Sequence, residues 1–123
     1  MAETPPLTVY YDGACPLCRR EIGFYRRRRG AERLRWLDVS AEGAEAVLPE
    51  GLSRRAALGR FHVGLADGRL VSGGAAFAEL WAALPGFRAA GRLFRRRPLV
   101  NLLELAYRGF LPLRPYLQRL VRQ

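Results

Sequence analysis

The spacing of apolar and polar positions changes along the chain, and each change marks an element. Leu7-Thr8-Val9-Tyr10-Tyr11 is a short, β-prone, almost wholly apolar run, the pattern of a strand covered on both faces. Asp12-Gly13-Ala14 breaks it. A helix is predicted to open near Cys15-Pro16, because proline suits a first turn, where its missing N–H costs nothing. Leu17, Cys18, Ile22, Phe24 and Tyr25 give that helix an apolar side. It runs out in Arg26 to Arg29 before Gly30, where cations complement the negative helix end. Leu34 to Val39 reads as a second strand, so the chain begins strand, helix, strand, the unit that makes a right-handed parallel crossover.

Residues 40–59 carry weaker helical stretches at Ala41–Leu48 and Ser53–Leu58. A clear hairpin follows: Phe61, Val63 and Leu65 alternate, Asp67-Gly68 turns, and Leu70-Val71 returns as the partner strand. Ser72-Gly73-Gly74 leads into a helix with Phe77, Leu80, Trp81 and Leu84 at amphipathic spacing, stopped by Pro85-Gly86. Phe87 to Phe94 suggests a short helix, and Arg95-Arg96-Arg97-Pro98 a break. Leu99, Leu102, Leu103 and Ala106 fall on one helical face. Pro112 and Pro115 are expected to interrupt it before a last segment with Tyr116, Leu117, Leu120 and Val121. The expected architecture is α/β: a small mixed sheet flanked by helices, as one domain over residues 1–123. Its core spans about 6–86, and a helical C-terminal extension spans about 87–123.

Composition adds bounds. A chain of 123 residues, half of them hydrophobic, folds without needing a metal or disulfide framework. No apolar run approaches the roughly 18 residues of a spanning helix, since Asn101 and Glu104 interrupt the best candidate. The start, Met-Ala-Glu-Thr-Pro-Pro, lacks the basic and apolar regions of a signal peptide, so a cytoplasmic location is expected. Net charge is +10, and all 21 basic residues are arginine. That bias points to genome composition more than to a ligand, and it excludes lysine chemistry such as Schiff bases. It permits an acidic protein, nucleic acid or a membrane surface as partner without establishing one.

The chemistry lies in the only two cysteines, Cys15 and Cys18, spaced Cys-Pro-Leu-Cys. On a helix, residues three apart share a face, within disulfide reach. A thiol at a helix N-terminus faces unpaired N–H groups and the positive end of the dipole, which stabilise the thiolate. This prepares Cys15 as a nucleophile, while Cys18, one turn inside, is expected to be less accessible and to act as the resolving thiol. Three other readings stay open: a structural disulfide, which would constrain little in so short a loop; a zinc site, short of ligands; and inert packing, which would not need the intervening proline. Asp12 serves as a proton acceptor or loop organiser, or as a turn residue bonding backbone N–H groups; the turn role is favoured and the two can coexist.

His62, the only histidine, alternates with Phe61 and Val63 and is expected to be structural, on the opposite sheet face. Glu21 reads as a solvated helix residue. Arg26–Arg29 and Arg95–Arg97 read as solvated helix ends, and Gly73-Gly74 is a weak anion cradle.

Tyr10-Tyr11-Asp12-Gly13-Ala14-Cys15-Pro16-Leu17-Cys18-Arg19-Arg20-Glu21 closely resembles the signature of the DCC family, thioredoxin-like proteins named for an Asp-x-x-Cys-x-x-Cys motif. The resemblance continues through Phe61-His62-Val63, Asp67 to Gly73, Phe77, Leu80-Trp81 and Leu84-Pro85-Gly86 to Leu105-Ala106-Tyr107-Arg108. It implies a thioredoxin-like fold and thiol–disulfide oxidoreductase activity through Cys15 and Cys18, with Asp12 beside them and no bound cofactor. The implied partners are a protein or low-molecular-weight thiol or disulfide and an external thiol reductant or oxidant. One departure from thioredoxin proper stands out: no cis-proline precedes the third core strand, where Leu58-Gly59-Arg60 stands instead. The alternative function is a non-enzymatic module docking through its basic surface.

Overall fold

The computed structural model describes residues 5–122, without the side chains of the last two, so the first four residues and the Val121 side chain lie outside it. Four strands form one sheet in the order β2-β1-β3-β4: β1 (Leu7–Tyr11), β2 (Arg35–Asp38), β3 (His62–Leu65) and β4 (Leu70–Ser72). β1 runs parallel to β2, with Val9 opposite Trp36, and antiparallel to β3, with Val9 opposite Val63. β3 and β4 form the predicted hairpin, with Val63 opposite Val71.

The period of two along β1 divides the core. Leu7 and Val9 face one side with Val63, under α1 (Pro16–Arg26) and α3 (Gly74–Ala83), joined by Ile22, Tyr25, Leu80 and Leu84. Tyr10 faces the other side, where Val39, Leu52 and Ala57 of the β2–β3 connection and its helix α2 (Arg54–Gly59) form a smaller cluster. Val9, Val63, Leu80 and Leu84 are fully buried. Each contributes roughly 1.5–3 kcal/mol through removal of its side chain from water. The result is the expected mixed sheet with helices on both faces.

The C-terminal third departs from expectation. After α4 (Arg88–Phe94), one continuous helix, α5, runs Leu99–Arg122 straight through Pro112 and Pro115. A helix-interior proline removes a hydrogen bond and crowds the preceding turn, at roughly 3 kcal/mol. Both rings lie on the exposed side of α5 and displace no packed side chain. The opposite side is tied down at several points. Glu104 accepts from the Gly74 N–H at 2.9 Å and from Arg60 Nη2 at 2.8 Å, and the Tyr107 hydroxyl accepts from the Phe61 N–H at 2.7 Å. The inward line is Leu103, Tyr107, Phe110, Arg114 and Gln118, whereas Leu102 is 57% exposed. Gly74 permits the close approach, because a Cβ there would drive into the backbone of Glu104. α5 thus crosses α3 and reaches the start of α1.

Candidate active site

The site forms where β1 ends and α1 begins. Cys15 is the N-cap of α1, with extended backbone, and Pro16 opens the helix as predicted. The Cys15 sulfur accepts from the Cys18 N–H at 3.3 Å, which is the role an N-cap oxygen would play. The preceding loop is fixed at two points. Asp12 Oδ1 accepts from the Ala14 N–H at 3.0 Å, the turn role expected of it. Asp38, at the end of β2, accepts from the Gly13 N–H at 2.8 Å and from the Ser40 hydroxyl at 2.6 Å. A side chain at position 13 would occupy the place of the Asp38 carboxylate, so glycine is required there.

The other half of the site comes from α5. Arg114 Nη2 pairs with Asp12 Oδ2 at 3.2 Å, with only 17% and 19% of the two side chains exposed. One turn on, Gln118 Nε2 donates to the Cys15 sulfur at 3.0 Å. Burial opposes ionisation of Cys15, but hydrogen bonds from the Cys18 thiol and N–H and the charge of Arg114 outweigh it and hold the thiol below its ordinary value. Cys18 moves the other way: burial, then its hydrogen bond to Cys15, pushes it up to about 12. The two thiols are free, and of the two Cys15 gives up its proton more readily while Cys18 keeps its own.

The structure brings Cys15, Cys18 and Asp12 together, as the sequence implied, and corrects three expectations. Cys15, expected to be the accessible thiol, is only 4% exposed, because Arg114 and Gln118 of α5 cover it. Cys18 is the half-buried one and lines a narrow crevice with Tyr10, Phe61, Phe77, Tyr107 and Arg114. Glu21 is not a solvated residue: it lines the same crevice, accepts weakly from the Tyr25 hydroxyl at 3.4 Å, and burial raises its pKa.

His62 lies on the sheet face away from Val63, as expected, with Nδ1 at 2.8 Å from the Arg60 carbonyl. The arginine runs are partly consumed locally. Arg28 lies over the Phe24 ring at 4.3 Å and Arg26 over Trp36 at 5.8 Å, while Arg95 pairs with Glu79 at 3.2 Å. Sequence pattern did not mark Arg60, Glu104, Arg114 or Gln118. The four-residue spacing of Phe110, Arg114 and Gln118 was the available signal, hidden by the two prolines. Among the described residues no group of three His, Cys, Asp or Glu side chains is gathered to hold a metal.

A thioredoxin-like sheet carrying a Cys-x-x-Cys pair at the first turn of the helix after β1 defines the class. The sequence profile of the DCC1-like thiol-disulfide oxidoreductases matches residues 9–120, and the chain belongs to that family. It is also 26% identical, over 102 residues, to the uncharacterized chloroplastic protein At5g50100 of Arabidopsis thaliana, a match covering 82% of this chain and 47% of that protein. The chain therefore spans about half the length of that relative. No solved structure matches it significantly. No helix among the described residues is long and apolar enough to cross a membrane.

Proposed function

We propose that the protein exchanges disulfides with a partner thiol or disulfide through Cys15 and Cys18. The supporting observation is the capped Cys15 sulfur, which accepts from the Cys18 N–H at 3.3 Å and from Gln118 at 3.0 Å beside the Arg114 charge. Cys15 works as the thiolate: it is the sulfur expelled when the disulfide opens and the sulfur that attacks the mixed disulfide when it closes, roles that its lowered pKa serves. Cys18 holds the proton until its own sulfur is needed. Asp12 acts through Arg114: it fixes the guanidinium beside Cys15 and is a positioning residue rather than a proton acceptor.

No resident cofactor enters this scheme, since the two electrons sit on the sulfurs, and an external thiol couple resets the pair. The test is equilibration of the protein in glutathione buffers of graded potential, with the Cys15–Cys18 disulfide quantified by mass spectrometry. A reversible two-electron transition, lost in Cys15→Ser and in Cys18→Ser, is expected. A pair that never closes, or closes irreversibly, sinks the proposal.

A further inference from the structure

In the oxidised protein, we propose, a small thiol bearing a carboxylate enters the crevice beneath α5 and attacks the sulfur of Cys18, expelling Cys15. This deepens the exchange reading above and rests on it. Three observations carry it.

The first is access. Arg114 and Gln118 lie over Cys15, which is 4% exposed, whereas Cys18 lines the crevice. Cys15 cannot be approached from solvent without lifting the end of α5, but Cys18 can be met from the crevice by a reagent of a few atoms' width.

The second is unspent donor capacity. Among the described residues, two buried side-chain polar atoms have no hydrogen-bond partner: Arg60 Nε and Arg114 Nε. Both arginines line this one crevice. An orphaned guanidinium N–H costs free energy that an acceptor would recover, and a carboxylate is the acceptor that guanidinium groups bind best. Glu104 and Asp12 already engage other nitrogens of these arginines, so the free positions await an acceptor from outside the chain. The remaining walls include the rings of Tyr10, Phe61, Phe77 and Tyr107, which suit a short apolar stem between sulfur and carboxylate. They also include two carboxyl groups: Asp12, already paired with Arg114, and Glu21, whose burial raises its pKa and favours its neutral form.

The third is the leaving group. Exchange is faster when the expelled sulfur is the better-stabilised thiolate. Cys15 already has the Cys18 N–H, the Gln118 amide and the Arg114 charge in place.

Atoms and electrons balance in two steps. A thiolate RS⁻ attacks the Cys18 sulfur, the Cys15–Cys18 bond breaks, and Cys15 departs as thiolate, leaving R–S–S–Cys18. A second RS⁻ attacks the R sulfur of that mixed disulfide, releasing RSSR and Cys18, which takes one proton. The second proton given up by the two thiols goes to solvent. Two electrons pass from two RSH to the protein.

The experiment challenges the oxidised protein with 3-mercaptopropionate or with 2-mercaptoethanol, quenches with acid and N-ethylmaleimide, and locates adduct and alkyl group by fragmentation of the Met1–Arg19 peptide. The thiol is expected on Cys18 and the alkyl group on Cys15. At equal thiolate concentration the acidic thiol should react at least fivefold faster. That ratio should fall towards one in Arg60→Lys, which keeps the charge but removes Nε, and persist in Arg96→Gln on the exposed surface. An adduct on Cys15 overturns the access route even if Arg60→Lys fails to fold. Equal rates for the two thiols overturn the carboxylate. A disulfide that neither thiol reduces overturns the exchange reading itself, a distinct result.

Discussion

The loop from Asp12 to Cys18 and the last turns of α5 build one thiolate site by opposite means. The loop acts locally. Its turn, its N-cap sulfur and its proline follow one another in sequence, and what it gives the sulfur is a backbone N–H, that of Cys18. α5 acts at a distance. Arg114 and Gln118 lie 102 and 103 residues from their partners Asp12 and Cys15, and supply a charge and a side-chain amide. A helix N-terminus alone would leave Cys15 open and modestly activated; α5 closes it and adds to its activation. In this site the loop sets a basal reactivity, and α5 sets the access and raises that reactivity further.

That division can be tested by disturbing α5 while leaving the loop intact. The largest effect is expected from Gly74→Ala, whose Cβ meets the Glu104 backbone and must push α5 from α3. Overpacking of this kind costs about 1–3 kcal/mol. Thermal unfolding should register the loss, and Cys15 should become open to bulky maleimides that the native protein excludes. Unchanged maleimide access would mean that α5 does not cover the site in solution. Next comes Arg114→Gln. Cys15 should titrate closer to an ordinary thiol, so the ratio of its iodoacetamide labelling rate at pH 6.5 to that at pH 9.5 should fall by roughly three- to tenfold, a ratio that cancels any change in access.

A third effect follows from the opposite displacements of the two thiols. Cys18 stays protonated in the folded chain up to about 12, whereas in the unfolded chain it ionises near 8.5. Between those values the unfolded state binds fewer protons, so the reduced protein should lose stability as pH rises above about 8.5. Cys15 has the opposite sign: its depressed pKa supports the fold above the ordinary thiol value and loses that support as pH falls through the depressed one. Melting curves of reduced and oxidised protein from pH 6 to 10 check both, since the disulfide form has neither titration. The smallest effect belongs to Gln118→Ala, which removes one donor to Cys15. The same ratio of labelling rates should fall by about two- to threefold, in line with roughly 0.5–1 kcal/mol for a part-buried hydrogen bond.

The sequence was informative wherever structure is decided locally. The β1 run, the Pro16 opening, the Asp67-Gly68 hairpin and α3 are where their residue patterns put them, because each depends on neighbours a few positions away. Cys15, Cys18 and Asp12 were legible for the same reason. The course of α5 was not, because whether Pro112 and Pro115 end a helix depends on which side of it they occupy, and that is set by packing against Gly74 and Phe61. Arg114 was invisible among 21 arginines of identical chemistry, since only the approach of α5 makes one of them special. Glu21 reads as solvated in the sequence because the residues that share its crevice, Phe110 among them, lie far along the chain.

The Tyr25 hydroxyl joins this crevice to an optical signal. Besides bonding Glu21, it accepts from the Trp81 indole N–H at 3.0 Å. The electronic surroundings of that indole are therefore linked through one hydroxyl to the carboxyl group beside Cys18. Titration of Glu21 or arrival of an anion nearby should quench or shift Trp81 emission, with Trp36, bonded to the Ala31 carbonyl at 2.9 Å, as a reference. The protein thus carries its own fluorescent reporter, and filling of the crevice can be followed in real time without a dye.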